Sequence, residues 1–469
     1  MLFNSFEFLL LVAFTMLIYY TLRFSRFQIA TLIGASLIFY GSSQLALLLL
    51  LLICLFINIS ASYLIMIGQP RRRKTYATMG VIFNISVLVF YKYGPLIVKT
   101  IPFDTGSLGA LVVILPLPLG ISFFTFHGIT LLVDTLRARP EGESSHLTSD
   151  TFIEHASKVS LYFLFFPQLV AGPITKSRNF LPQIVPKKLQ DADFEYSFRR
   201  MTLGYFLKMV IADNLAQQTF WISYPYFLGR PSGDLLAMLG GYSMQIFADF
   251  AGYSLIAIGV AALFGYKLPQ NFNFPYISQS FAEFWTRWHM SLSSFLKEYL
   301  YFPLGGNRCG NLRTYFNLFM VMLLGGMWHG ASWNFLVWGG AHGLALAAER
   351  LIGSKIHPPK ALFLTILRIV FVFSFVSLAW LLFKLPDISR AADFLCTIYE
   401  NWGMSLSVAS CGIIAIYSSA VAAYHLIGVF RRRLTVFDRT STAGWLYGSM
   451  LFLIVNNSGE PQSFVYFQF

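Results

Sequence analysis

Residues 314–348 read TYFNLFMVMLLGGMWHGASWNFLVWGGAHGLALAA, 35 residues without one Asp, Glu, Lys or Arg. A helix rises 1.5 Å per residue, so about 20 apolar residues cross the roughly 30 Å of a bilayer's hydrocarbon. This run suffices for one full crossing and one partial one, and breaks are expected at Gly325-Gly326 and Gly339-Gly340. Uncharged runs recur at 44–68, 105–133, 250–266, 401–430 and 441–459. Of the 469 residues, 56% are hydrophobic and 12% charged, whereas a soluble domain carries about a quarter charged residues. The fold class that follows is an all-α polytopic membrane protein.

The net charge of +13 would suggest nucleic acid as the partner of a soluble protein. Here Arg71-Arg72-Arg73-Lys74 and Arg431-Arg432-Arg433 stand at the ends of apolar runs, where short basic loops mark the cytoplasmic side. No nucleic acid is implied; anionic lipid is a lesser contact. With those clusters inside, segments near 6–22, 27–42, 44–68, 76–100 and 108–136 alternate sides. They put Arg23, Arg26, Arg137 and Arg139 inside, and Gly41-Ser42-Ser43 and the loop from Pro102 to Ser107 outside. The interrupted stretch from Val159 to Pro173 reads as re-entrant. Segments 201–226 and 235–263 form a hairpin, 276–302 is too polar to face lipid, and 361–383, 406–430 and 443–457 complete about eleven spans. The linker from Lys384 to Glu400 falls outside. The chain reads as one membrane domain, with N-terminal helices at 1–140, a core at 151–350 and C-terminal helices at 361–469. Phe8 to Tyr20 lacks a cleavage site and reads as a retained helix. Four scattered cysteines give neither a disulfide framework nor a zinc site.

An ionisable group inside hydrocarbon is expensive, so each one is a functional candidate. His329, in Gly325-Gly326-Met327-Trp328-His329-Gly330-Ala331-Ser332-Trp333-Asn334, stands far from any charge. The glycines let a thin substrate come close, and Trp328, Trp333 and Asn334 offer N–H donors of the kind a polarised carbonyl needs. Local context favours function over a purely structural hydrogen bond. His289, in Phe284-Trp285-Thr286-Arg287-Trp288-His289, shares a helix face with Trp285 and Leu292 if the segment is continuous. It lines a polar cavity or faces headgroups, and both readings stand. Asp249, in Phe247-Ala248-Asp249-Phe250, either orients a histidine or forms a buried salt bridge. His342 lies 13 residues beyond His329, about 220° round a continuous helix, and reads as structural; His127 reads as a satisfied core histidine. No metal-type histidine spacing, phosphate-binding glycine loop or Gly-x-Ser-x-Gly elbow occurs.

These motifs, with Phe165-Phe166-Pro167-Gln168-Leu169-Val170-Ala171-Gly172-Pro173, Asp249-Phe250-Ala251-Gly252-Tyr253-Ser254, Tyr301-Phe302-Pro303-Leu304-Gly305-Gly306-Asn307-Arg308 and the terminal Tyr466-Phe467-Gln468-Phe469, carry a resemblance that runs nearly end to end. The chain resembles the membrane-bound O-acyltransferase family, in its bacterial alginate O-acetyltransferase-like branch. It departs from the family pattern at Ala251, Leu255 and His127. The resemblance implies a ring of helices around a funnel, with His329 as the essential histidine and His289 in support. It also implies acetyl-CoA as donor substrate, with no bound cofactor and no metal. The expected acceptor is an exported polysaccharide such as alginate or cellulose, or an outer-side partner of the SGNH hydrolase type, and the expected location is a bacterial inner membrane. Asn307, Arg308, Arg313 and Lys176 are candidate contacts for the donor. Two other classes of function fit the intramembrane ionisable groups: D-alanyl, lipid or protein acyl transfer, and solute transport.

Overall fold

The computed structural model describes residues 1–21, 24–100, 106–138, 151–353, 361–430, 440–462 and 464–465. Arg23, Arg139, most of the loop at 102–107, Arg431 to Arg433 and Tyr466 to Phe469 lie outside the described residues. Regular structure among those described is helical, without a strand.

In chain order the helices are α1 (Phe6–Thr21), α2 (Ser25–Ile67), α3 (Pro70–Leu88), α4 (Gly94–Thr100), α5 (Gly106–Ile114), α6 (Ile121–Arg137), α7 (Phe152–Leu164), α8 (Phe166–Leu169), α9 (Ser177–Phe180), α10 (Phe194–Tyr205) and α11 (Asp213–Thr219). There follow α12 (Ser232–Leu263), α13 (Phe281–Arg287), α14 (Met290–Leu296), α15 (Asn311–His329), α16 (Trp333–Gly353), α17 (Leu362–Ala379), α18 (Leu381–Lys384), α19 (Ile388–Glu400), α20 (Val408–Phe430) and α21 (Thr440–Asn456). Five stretches, at 25–67, 70–98, 232–263, 362–384 and 408–429, are long and apolar enough to cross a membrane. Large side chains such as Phe56 and Phe371 stand exposed on α2 and α17, as lipid-facing residues do.

The sequence expectations differ from the structure in several places. The span expected at 108–136 is two helices, α5 and α6, separated at Leu115 to Gly120. Arg71 to Lys74 do not form a loop but the first turn of α3, because Pro70 is suited to open a helix. The two spans expected at 27–42 and 44–68 are limbs of α2, kinked at Gln44 (φ −147°, ψ 71°). That kink is held from outside the helix: the Gln44 amide accepts Leu119 N–H at 2.7 Å and donates to Leu117 O at 3.2 Å. A further difference is the glycine doublets of 314–348, which do not break their helices.

Two compact units divide the chain, 1–201 with 254–269 and 202–253 with 270–469. In the first, α2, α3, α6 and α7 pack together around polar pairs. Asn58 and Asn84 exchange amide hydrogen bonds at 3.1 and 2.9 Å, and Ser62 lies 2.8 Å from His155 Nε2. Gly128 sits on the Asn58–Asn84 pair, where a Cβ would come within 2.7 Å of both amide oxygens. In lipid, where apolar association gives little drive, such pairs hold helices together. His127 is buried against the Tyr162 ring at 5.3 Å, yet neither ring nitrogen has a hydrogen-bond partner among the described residues. The expected satisfied core histidine is therefore buried but unsatisfied.

In the second unit, α15 and α16 form an antiparallel hairpin. A Cβ on Gly326 would strike Phe335 O and the Gly339 backbone, and one on Gly339 would strike Met322 O. The doublets are thus contact points where two helix backbones touch, which is the other use of small residues in membrane helices. The break falls instead at Gly330 to Ser332, directly after His329.

A buried ionic cluster holds Gln462 and Val465 within the second unit. The chain from Phe206 to Ala212 is wound as a π-helix and carries Lys208. Lys208 Nζ donates to Asp213 Oδ1 at 2.8 Å and to Gln462 O at 2.9 Å, and stands 2.8 Å from Asp249 Oδ1. Val465 N–H donates to Asp249 Oδ2 at 2.8 Å, and Gly459 N–H to Met209 O at 2.9 Å. Phe464 is fully buried between Phe250 and Tyr253.

Candidate active site

His329 is the last residue of α15, and the extended backbone of Gly330 (φ −169°) ends the helix there. The imidazole is 3% exposed. Aromatic edges enclose it: Trp328 and Trp338 each lie 5.0 Å away by ring centroid, and Phe383 lies at 5.2 Å. Trp338 stacks in turn on Trp380 at 5.7 Å. This wall excludes water from the imidazole and strengthens electrostatic interactions made there.

His289 does not lie within a continuous helix. It separates α13 from α14 in the left-handed region (φ 42°, ψ 54°), so the shared face with Leu292 does not form. A residue with a Cβ adopts this conformation at a cost, and such positions persist only where the surroundings fix them. The restraints are visible. The Ser280 hydroxyl accepts Glu283 N–H at 3.0 Å at the start of α13, where Glu349 also accepts the Phe281 N–H. Beyond the turn, Met290 N–H donates to Asn271 O at 2.9 Å and Ser291 Oγ donates to Asn271 Oδ1 at 2.5 Å. The His289 ring, 1% exposed, rests edge-on to Phe250 at 4.6 Å and lies 5.9 Å from Trp328. Trp328 therefore touches both histidines, which are 40 residues apart in sequence.

The remaining sequence candidates divide. Trp285 joins this aromatic cluster through Trp338 at 5.7 Å, and Trp288 packs on Trp380 at 5.1 Å. Asn334 is buried near the hairpin turn and donates to Leu385 O at 2.8 Å. Trp333 points outward, 58% exposed. Asp249 pairs with Lys208 and caps the Val465 amide, the salt-bridge alternative, with a lysine as its cation. Asn307, Arg308 and Arg313 are exposed on the approach to α15, whereas Lys176 is buried.

Trp338 and Phe383 escaped the sequence reading. Trp338 shares an α16 face with His342 at spacing i, i+4, a signal that was legible. Phe383 comes from a separate element, and nothing local marks it. His342 was judged on an unbroken helix; with the break at Gly330, both it and His329 meet Trp338, at 4.7 and 5.0 Å. No group of three or more His, Cys, Asp or Glu suited to a metal occurs among the described residues.

The chemistry available is that of a buried imidazole able to exchange one proton, beside indole side chains. The description "membrane-bound O-acyltransferase family" matches residues 8–386. The chain is 34% identical to a "probable alginate O-acetylase" of Azotobacter vinelandii over 86% of this chain and 79% of that one. It is 35% identical to a "peptidoglycan O-acetyltransferase" of Helicobacter pylori over 80% and 74%. It is 32% identical to a "teichoic acid D-alanyltransferase" of Bacillus subtilis over 57% and 68%. A family match covering most of the chain, on an all-helical fold with several apolar spans, leads to one conclusion: this chain is an O-acyltransferase enzyme of the membrane-bound O-acyltransferase family, a multi-pass membrane protein.

Proposed function

We propose that the enzyme transfers acetyl from acetyl-CoA, taken up on the cytoplasmic side of a bacterial inner membrane, to a hydroxyl on the outer side. That hydroxyl belongs to an exported polysaccharide or to an SGNH-type relay partner. The observation that carries this reading is His329, buried at the apex of a hairpin whose opposite end bears Arg308, Arg313 and Arg350. Cations there suit the phosphates of a coenzyme.

His329 removes the proton from the acceptor hydroxyl as its oxygen attacks the thioester carbonyl. The Trp328 indole steadies the oxyanion. As the carbon–sulfur bond breaks, the imidazolium returns its proton to the departing thiolate. General-base help of this kind is worth about 10²–10⁴ in rate. Support for acetyl comes from two relatives named as O-acetylases or O-acetyltransferases, on a glycan and on peptidoglycan. The relative named for teichoic acid D-alanylation supports the alternative of D-alanyl transfer.

Purified protein in liposomes, given labelled acetyl-CoA and, separately, a D-alanyl carrier, separates the readings. The expected result is release of free CoA with label on an oligosaccharide or partner hydroxyl. Solute flux without CoA release, or transfer from the D-alanyl donor alone, contradicts it.

A further inference from the structure

The α15–α16 hairpin has a direction. His329 is at its apex, while α15 begins beside Arg308 and Arg313 and α16 ends at Arg350, so the other end of both helices is basic. His342 lies nine residues into α16 after Trp333, about 13 Å along the axis toward that basic end. A donor moving along the hairpin from the basic end to His329 passes the level of His342 first.

His342 is fully buried, and neither of its ring nitrogens has a hydrogen-bond partner among the described residues. The same holds for the indole N–H of Trp338 and of Trp285. These three rings form a triangle: His342 to Trp338 at 4.7 Å, His342 to Trp285 at 5.2 Å, and Trp285 to Trp338 at 5.7 Å. Phe284 and Phe375 close around His342 at 6.3 and 5.3 Å. Three polar groups left without partners in so apolar a setting each carry a desolvation penalty that a complementary guest relieves.

The required guest follows from the groups present. A neutral imidazole offers one N–H and one acceptor nitrogen, and each indole offers one N–H. Their complement is uncharged and carries both a carbonyl oxygen and an N–H, which is a secondary amide. Resting on the transferase reading above, we propose that His342, Trp338 and Trp285 bind the secondary amide of the acyl donor's pantetheine arm while His329 acts on its thioester. In such a donor the first amide follows the sulfur after two methylene groups, and in the protein Trp338 touches both histidines. The amide thus sets the register in which the thioester meets His329. Pantetheine occurs in coenzyme A and on carrier proteins, and the chemistry recognised is the same.

The test uses a set of donors. Wild-type enzyme and His342→Ala receive acetyl-CoA, S-acetyl-N-acetylcysteamine, which keeps the first amide, and S-acetyl-mercaptoethanol, which lacks it. Loss of one buried hydrogen-bonding group lowers the ratio of kcat/KM for the amide donors to that for the amide-free donor by about tenfold in His342→Ala. His342→Gln, which retains a donor and an acceptor, recovers part of it. Trp285→Phe, a milder change that removes one N–H, moves the ratio in the same direction and serves if His342→Ala does not fold. An unchanged ratio in these variants overturns the proposal while leaving the transferase reading intact. A wild-type enzyme that uses no thioester overturns both. Acetyl-CoA against an acetyl-loaded carrier protein, on wild-type enzyme, tells which source is used.

Discussion

His289 holds a left-handed backbone without being glycine, and that conformation depends on Asn271 behind it. The consequence is testable by side-chain class. Asparagine tolerates this region, whereas a β-branched residue does not, at a difference of roughly 1–2 kcal/mol. His289→Val therefore melts well below His289→Asn, and both lose part of the activity. Equal melting of the two would show that the turn is not strained. The identity of His289 was legible in its motif, but the turn was not. Nothing local in Phe284 to Ser293 opposes a continuous helix; the break is imposed by Asn271, 18 residues upstream.

Among the helices, the α15–α16 hairpin depends on glycine as contact surface. A side chain at Gly326 meets the backbone of α16, so Gly326→Val forces the helices apart, and overpacking of this sort costs about 1–3 kcal/mol. Lower yield of folded protein and a lower melting temperature are expected, with little change in far-ultraviolet helicity; a melting temperature equal to wild type counts against the contact. Lys208 makes a second case. Lys208→Met leaves Asp213 and Asp249 buried without their cation, a loss of about 3–5 kcal/mol, and frees the Gln462 carbonyl. Protease susceptibility of the C-terminal residues should rise, and wild-type resistance would dismiss the latch. The long helices were in large part readable from uncharged runs, because hydrocarbon length sets them, although the run 105–133 holds a break after Ile114. Whether a glycine doublet breaks a helix or packs it was not, since that depends on the partner backbone.

At the scale of the whole chain, the reading that the basic clusters face the cytoplasm is a topology prediction, and two native cysteines report on it. Cys309 and Cys396 are both exposed; the first follows Arg308 on the side read as inside, and the second lies on α19, read as outside. In variants that keep one or the other, a membrane-impermeant maleimide should label Cys396 and spare Cys309 until the inner face is opened. The reverse pattern would invert the topology.

The proposed chemistry converges on the His329 imidazole, and the most direct measurement is acetyl transfer by purified His329→Ala in liposomes. The account predicts a rate lower by at least about 10²-fold, in protein that elutes and melts as wild type does. Transfer at the wild-type rate would contradict it.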